Sequence, residues 1–250
     1  MANLLDKYGI KEVADVVFYK INPDGSRGAP VLYLDTLKVS TIEQTAENVA
    51  ARGGKGNPEL IIWDFNKEIT LTLQDALFSA KSLAMMFGSE EVNATTLVKT
   101  LAKDEVTSEG AKHYFTDMNG KKVELKQPHW YKATGEEDTT TDHTDAVFVT
   151  GDVDITGYEF SIDAQKFPDT YYVTGDTYAR SQATGEDEYL QFIVQKAKML
   201  SEVTLTMEAE GDPAVFDMNL KVLRPADGKM LKLVKYNFTA AAAGSDGSDG

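Results

Sequence analysis

Alternation of apolar and polar residues with a period of two recurs along the chain and predicts a protein built mainly of strands. It is clearest over residues 68–74, where Ile69, Leu71 and Leu73 point one way and Thr70, Thr72 and Gln74 the other. Such a segment belongs to a sheet with one wet face. A β-branched and aromatic run over 16–21 stops at Asn22-Pro23-Asp24-Gly25, a sequence suited to a turn, and further strands are expected at 31–34 and 37–44. One short helix interrupts the pattern over 79–87. Ser79 is its expected N-cap and Gly88 its stop, and Ala80, Leu83, Ala84 and Phe87 fall at the i, i+3, i+4, i+7 spacing of an apolar stripe that would pack on a sheet.

After a strand expected at 95–102 the chain turns polar. Asn119-Gly120 between 114–116 and 122–126 is a strong local hairpin signal, and residues 135–144, rich in Thr and acids without periodicity, read as an exposed loop. Residues 105–145 therefore read as a surface insertion. Strand pattern returns at 146–155, 171–180, 188–197 and 202–208, and a final pair at 215–223 and 229–238 is joined through Pro225-Ala226-Asp227-Gly228. The end, 240–250, is alanines followed by Gly, Ser and Asp, too small and polar to pack. The expected organisation is one β domain over 1–240 with a polar insertion at about 105–145, and a flexible tail at 241–250. Val149-Thr150-Gly151-Asp152 recurs as Val173-Thr174-Gly175-Asp176; two similar turns account for it without a repeat architecture.

Composition narrows the functional classes. At 42% hydrophobic and 26% charged, the 250 residues are those of a folding chain. The formal net charge of −15 repels nucleic-acid phosphates and argues against groove reading or phosphate gripping. The absence of cysteine removes disulfides, thiolate metal sites and thiol nucleophiles together. Charges at Asp6, Lys7, Lys11, Glu12 and Asp15 interrupt any apolar stretch near the start, so a secretory signal is not legible, and no apolar run approaches a membrane span.

Motifs for chemistry are weak. His113, His129 and His143 have no zinc spacing, and Gly53, Gly54 and Gly56 fit neither a dinucleotide fingerprint nor a phosphate loop. Asp152-x-Asp154-x-Thr156-Gly157, with Asp163 beyond it, imitates a calcium loop, but its flanks alternate as strands and its closing residue is Asp in place of Glu. Aromatic pairs at Trp130-Tyr131 and Tyr171-Tyr172 suggest a sugar platform, although strands are enriched in such residues for packing alone. No catalytic residue, cofactor or metal ligand is assigned.

One stretch carries a likeness. Residues 45–88, TAENVAARGGKGNPELIIWDFNKEITLTLQDALFSAKSLAMMFG, resemble the tail tube, or major tail, proteins of long-tailed bacteriophages, with a strand, a Gly-rich loop, a Trp-bearing segment, an alternating strand and a capped helix in that order. Residues 191–238, with FIVQKAKML and EVTLTMEAEGDPAVFDMNLKVLRP, match in the same way; residues 105–145 do not. The resemblance implies a non-enzymatic, mainly β protein with a sandwich- or barrel-like core. Its subunits would join in a ring, commonly a hexamer, and stack into a virion tail tube that carries DNA without binding it specifically. The implied partners are other copies and other tail proteins such as tape measure, baseplate or sheath, with assembly in the host bacterial cytoplasm.

Within that family the region 46–58 resembles a connection reaching the adjacent ring. Glu47, Arg52, Gly53, Gly54, Lys55 and Gly56 are its candidate contact residues, in a loop expected to be mobile in the free subunit. Charge adds a further expectation, that carboxylates line the lumen and keep the duplex off the wall. The competing reading is an all-β surface binding module, an adhesin or carbohydrate-binding domain.

Overall fold

The computed structural model describes residues 7–203 and 215–238. The tail at 241–250 lies outside them, as does all of the strand expected at 202–208 beyond Glu202 and Val203. The described chain runs β1 (Tyr8–Ile10), β2 (Asp15–Ile21), β3 (Arg27–Leu34), β4 (Leu37–Arg52), β5 (Glu59–Asp75), α1 (Ala80–Phe87), β6 (Val92–Ala102), β7 (Thr107–Glu109), β8 (Lys112–Thr116), β9 (Lys122–Lys132), β10 (Ala146–Glu159), β11 (Thr170–Ser181), β12 (Asp187–Met199), β13 (Phe216–Val222) and β14 (Lys232–Tyr236). It is mainly β, with two antiparallel sheets, as the alternation predicts.

The chain divides into two compact units, residues 1–90 with 161–250 and residues 91–160. In the first, the sheet order is β3-β2-β11-β12-β13-β5-β4, with β1 on β11 and β14 on β12. One core holds Val16 and Phe18 of β2, Val173 of β11, Val194 of β12, Leu220 of β13 and Leu71 and Leu73 of β5. Both ends of the strand order thus contribute to the same apolar interior, which requires the sheet to bend over it.

Helix α1 lies against this core through Met85 and Met86. Ser79 caps it as expected: its hydroxyl accepts the Ser82 N–H at 3.0 Å, and the Ser82 hydroxyl accepts the Ser79 N–H at 2.9 Å. That reciprocal cap draws Ser82 inward, so the buried face is Ser82, Ala84, Met85 and Met86, rotated from the expected stripe; Ala80, Leu83 and Phe87 are only half-buried. Gly88 ends the helix at φ 65°, and a Cβ there would stand 2.4 Å from the Phe167 carbonyl carbon. Both the left-handed backbone and the close approach demand glycine.

Two further expectations change. The recurring Val-Thr-Gly-Asp segments lie inside strands β10 and β11, not in turns. Gly175 sits opposite Phe192, whose ring occupies the space a Cβ would take, and a Cβ at Gly151 would stand 2.7 Å from the Lys126 carbonyl oxygen and 2.8 Å from Leu125. Glycine here permits close approach within a sheet. Likewise β13 and β14 do not pair with each other; they follow end to end along one edge of β12, β13 opposite residues 197–199 and β14 opposite residues 189–193. The Pro225 segment is an excursion between them, as a residue without an N–H cannot continue the ladder.

In the second unit the order is β6-β10-β9-β8-β7. Asn119-Gly120 does turn β8 into β9: Gly120 has φ 79°, and the Asp117 carboxylate accepts the N–H of Asn119 and Lys121 at 2.9 and 2.8 Å. The stretch that reads as polar supplies Phe115, Leu125 and Trp130 to a separate core with Leu101, Val149 and Val153.

Candidate assembly interface

The longest strands of the molecule, β4 and β5, form one hairpin with two different halves. At its base β5 has a neighbour on each side, β4 and β13, but pairing with β13 covers only residues 70–75. Beyond Thr70 the hairpin continues as a two-stranded ribbon to a turn at residues 53–58. A two-stranded ribbon is marginal alone in water.

Residues 46–52, expected in a loop, are strand. Ala, Asn and Glu are poor strand formers. Their pairing is set by the partner strand, which places Trp63, Ile62 and Ile61 opposite Val49, Ala50 and Ala51. The true turn is compact: Gly53 N–H donates to the Pro58 carbonyl at 3.2 Å and Asn57 N–H to that of Gly54 at 3.2 Å, with Gly54, Gly56 and Asn57 at positive φ. Of the six candidate contact residues, Glu47 and Arg52 therefore stand on β4, while Gly53, Gly54, Lys55 and Gly56 form the tip. Arg52 forms an ion pair with Glu59 across the hairpin, and Glu47 accepts a hydrogen bond from Asn66 at 3.2 Å.

Apolar side chains crowd the ribbon with no cover from the other described residues. Leu60 is 63% exposed and Trp63 52%, and Val49, Ile61, Ile62 and Phe65 are likewise exposed. A bulge determines which way they face. Thr45 pairs with Glu68 and Glu47 with Phe65, so Asn66 and Lys67 together oppose Ala46, with Asn66 at φ 49°. Directly paired residues share a face. On the core side Ile42 and Gln44 lie opposite Leu71 and Ile69; past the bulge the unbroken alternation of β4 places Glu47, Val49 and Ala51 on the other side, with Phe65, Trp63 and Ile61. The apolar stripe of β5, continuous at odd positions in the sequence, changes sides at Asn66 and turns away from its own core.

The remaining sequence candidates do not converge. Asp152 and Asp154 are on β10, where Asp154 is ion-paired with Lys126 at 2.5 Å, and Asp163 accepts the Gln165 N–H at 2.8 Å. Among the described residues no three His, Asp or Glu side chains gather at metal-binding distance. His113 and His143 both contact the Trp130 ring, at 5.5 and 4.8 Å, while His129 pairs with Glu137. The aromatic pairs point to opposite sides of their strands, as adjacent strand residues must: Trp130 and Tyr171 are buried, and burial raises the Tyr171 hydroxyl to about 12. They make no exposed platform. Asp138, buried in the loop before β10, is held below the usual carboxylate range by hydrogen bonds from Thr140.

The model of the YomU/Tube protein family matches residues 8–235. The chain belongs to this family. It is also 29% identical over 198 residues to the tail tube protein of Bacillus phage SPR, covering 73% of this chain and 72% of that one. The YomU/Tube match spans both compact units, including the stretch at 105–145 that the resemblance in the sequence leaves out. Tube proteins of this kind are structural components of the phage tail and are not enzymes. An exposed ribbon, and not a cleft, is therefore the feature to be explained. Sequence reasoning placed its contact residues at the tip; it missed Ile61, Trp63 and Phe65, although an aromatic and β-branched run beside Gly-rich punctuation was the available signal.

Proposed function

We propose that the chain assembles with copies of itself into rings that stack as the tube of a phage tail, through which DNA leaves the virion. The observation that carries this reading is the uncovered ribbon. Six large apolar side chains stand exposed on the outer halves of two strands, which past Thr70 have no further sheet partner among the described residues. With about half of each still exposed, covering one is worth on the order of 1 kcal/mol. Monomeric proteins rarely maintain such a surface, and repeated assemblies use it.

Glu47, Arg52, Gly53, Gly54, Lys55 and Gly56 are proposed contacts with the adjacent ring. Arg52 is paired within its own hairpin, which leaves Lys55 as the cation at the tip. Carboxylates are proposed to line the conduit, where each basic group would instead retain the duplex. The face of the first sheet opposite its core supports this, with Asp15 directly across from Asp176 and the Tyr33 hydroxyl raised chiefly by Asp15. Repulsion between opposed carboxylates is tolerable where the face is wet.

Electron microscopy of the purified protein tests the assembly, with rings or stacked tubes expected; a monodisperse monomer at high concentration across salt conditions overturns it. Replacing Arg52 and Lys55 by Ala tests the stacking contact, which is wrong if assembly and phage viability are unchanged. A basic inner wall in a map of the tube removes the lumen proposal alone.

A further inference from the structure

At the base of the same hairpin lies a groove that no side chain among the described residues fills. It measures about 420 Å3 and is lined by Ile10, Val13, Val39, Ile42, Leu190 and Leu233. Ile10 and Leu233 are each 63% exposed, an unusual state for apolar side chains gathered in one concavity. The groove runs beside β4 and β14, both edge strands with a single described partner. Lys11, Lys38 and Glu12 also line it, and neither lysine is ion-paired to a carboxylate among the described residues.

Resting on the tube reading, we infer that this groove receives the apolar stripe of another copy's ribbon, Ile61, Trp63 and Phe65 with Val49. Shape comes first. The ribbon cannot fill its own groove, because β4 runs as continuous strand from the groove at Ile42 to the tip at Arg52, about 33 Å at 3.3 Å per residue. The bulge at Asn66 also turns the stripe away from the core side. Charge agrees. Glu47 lies on the stripe face opposite Phe65, and with its tip the ribbon also carries Glu43, Glu59, Asp64 and Glu68 against three basic residues, Arg52, Lys55 and Lys67. An acidic ribbon with an apolar stripe thus meets an apolar groove whose charged rim, Lys11 and Lys38 against Glu12, is net positive. Each copy has one donor, the outer ribbon, and one acceptor, the groove at its base, so the contact is heterologous and propagates from copy to copy in place of closing into a two-fold dimer.

The absence of cysteine makes a clean test possible. Two single-cysteine variants, Ile61→Cys and Leu233→Cys, are mixed, assembled and oxidised, with Ile62→Cys, on the opposite face of the ribbon, as the control donor. A disulfide needs Cα atoms within about 7 Å, so only docked pairs cross-link. A covalent dimer with Ile61→Cys and little with Ile62→Cys supports the inference. Tubes without this cross-link, or an equal yield from the two donors, overturn the groove while leaving the tube reading standing. The cross-link in assemblies that form no tubes keeps the groove and removes the tube; neither cross-link nor assembly removes both.

Discussion

The two halves of the β4–β5 hairpin share one pattern and meet opposite fates. Ile69, Leu71 and Leu73 near the base are buried, whereas Ile61, Trp63 and Phe65, at odd positions of the same strand, stand in solvent. Their hydrophobicity does not separate them. What does is the reach of β13, which pairs as far as Thr70, and the bulge at Asn66, which reverses the faces. In the base half the apolar pattern describes folding; in the outer half the same pattern describes association.

The strongest way to break that contrast is to cut both halves. Leu71→Ala, at a fully buried site, should cost about 2–5 kcal/mol of subunit stability by denaturant titration. Trp63→Ala should change the same titration by no more than about 0.5 kcal/mol, yet shift sedimentation of the assembled protein to small species. Equal destabilisation by both would mean that the ribbon is part of the subunit's own core.

The bulge sharpens the contrast further. Inserting one residue after Ala46 gives Asn66 a partner on β4, restores one-to-one pairing and rotates Ile61, Trp63 and Phe65, with Glu47, Val49 and Ala51, to the core side without altering a single apolar residue. Assembly should fail while the thermal transition stays near that of the parent. Retained tubes would show that the side on which the stripe lies is irrelevant.

Gly88 checks the base half from the helix side. Gly88→Ala places a methyl group in left-handed backbone against the Phe167 carbonyl, and a loss of about 2 kcal/mol or more is expected in subunit stability, with tubes still forming at low temperature.

Acidity gives the smallest effect. Asp138 and Asp142 in the second unit are held below the usual range first by Thr140 and Thr144, and Asp187 in the first unit by Arg180. Carboxylates with depressed folded values stabilise above their unfolded value of about 3.9, and that stability is lost as pH falls through the lower folded one. Circular dichroism should therefore be flat from neutral pH to about 5 and decline below about 4. A decline beginning near pH 6 would point to histidine instead.

Local signals were legible where the chain itself sets the geometry. Ser79 and Gly88 bracket the helix because capping is a matter of neighbouring residues, and Asn119-Gly120 marks its hairpin because a tight turn needs positive φ. The strand over 46–52 was not legible: Ala, Asn and Glu acquire strand geometry from their partners at 59–65. Nor was the core of the second unit, whose Phe115, Leu125 and Trp130 are scattered through a polar stretch and meet only when four turns have been made.

By itself, then, the sequence determined a mainly β chain, the capped helix after Ser79, an acidic composition, a want of catalytic motifs and a likeness to tail tube proteins, all of which follow from residue type and spacing. Tertiary structure alone decided which apolar residues serve the core and which are left for a neighbour. Alternation tells that two sets of side chains lie on opposite faces, but which face is buried depends on where a partner strand ends and where one extra residue enters the ladder, and neither is written in the period of the pattern.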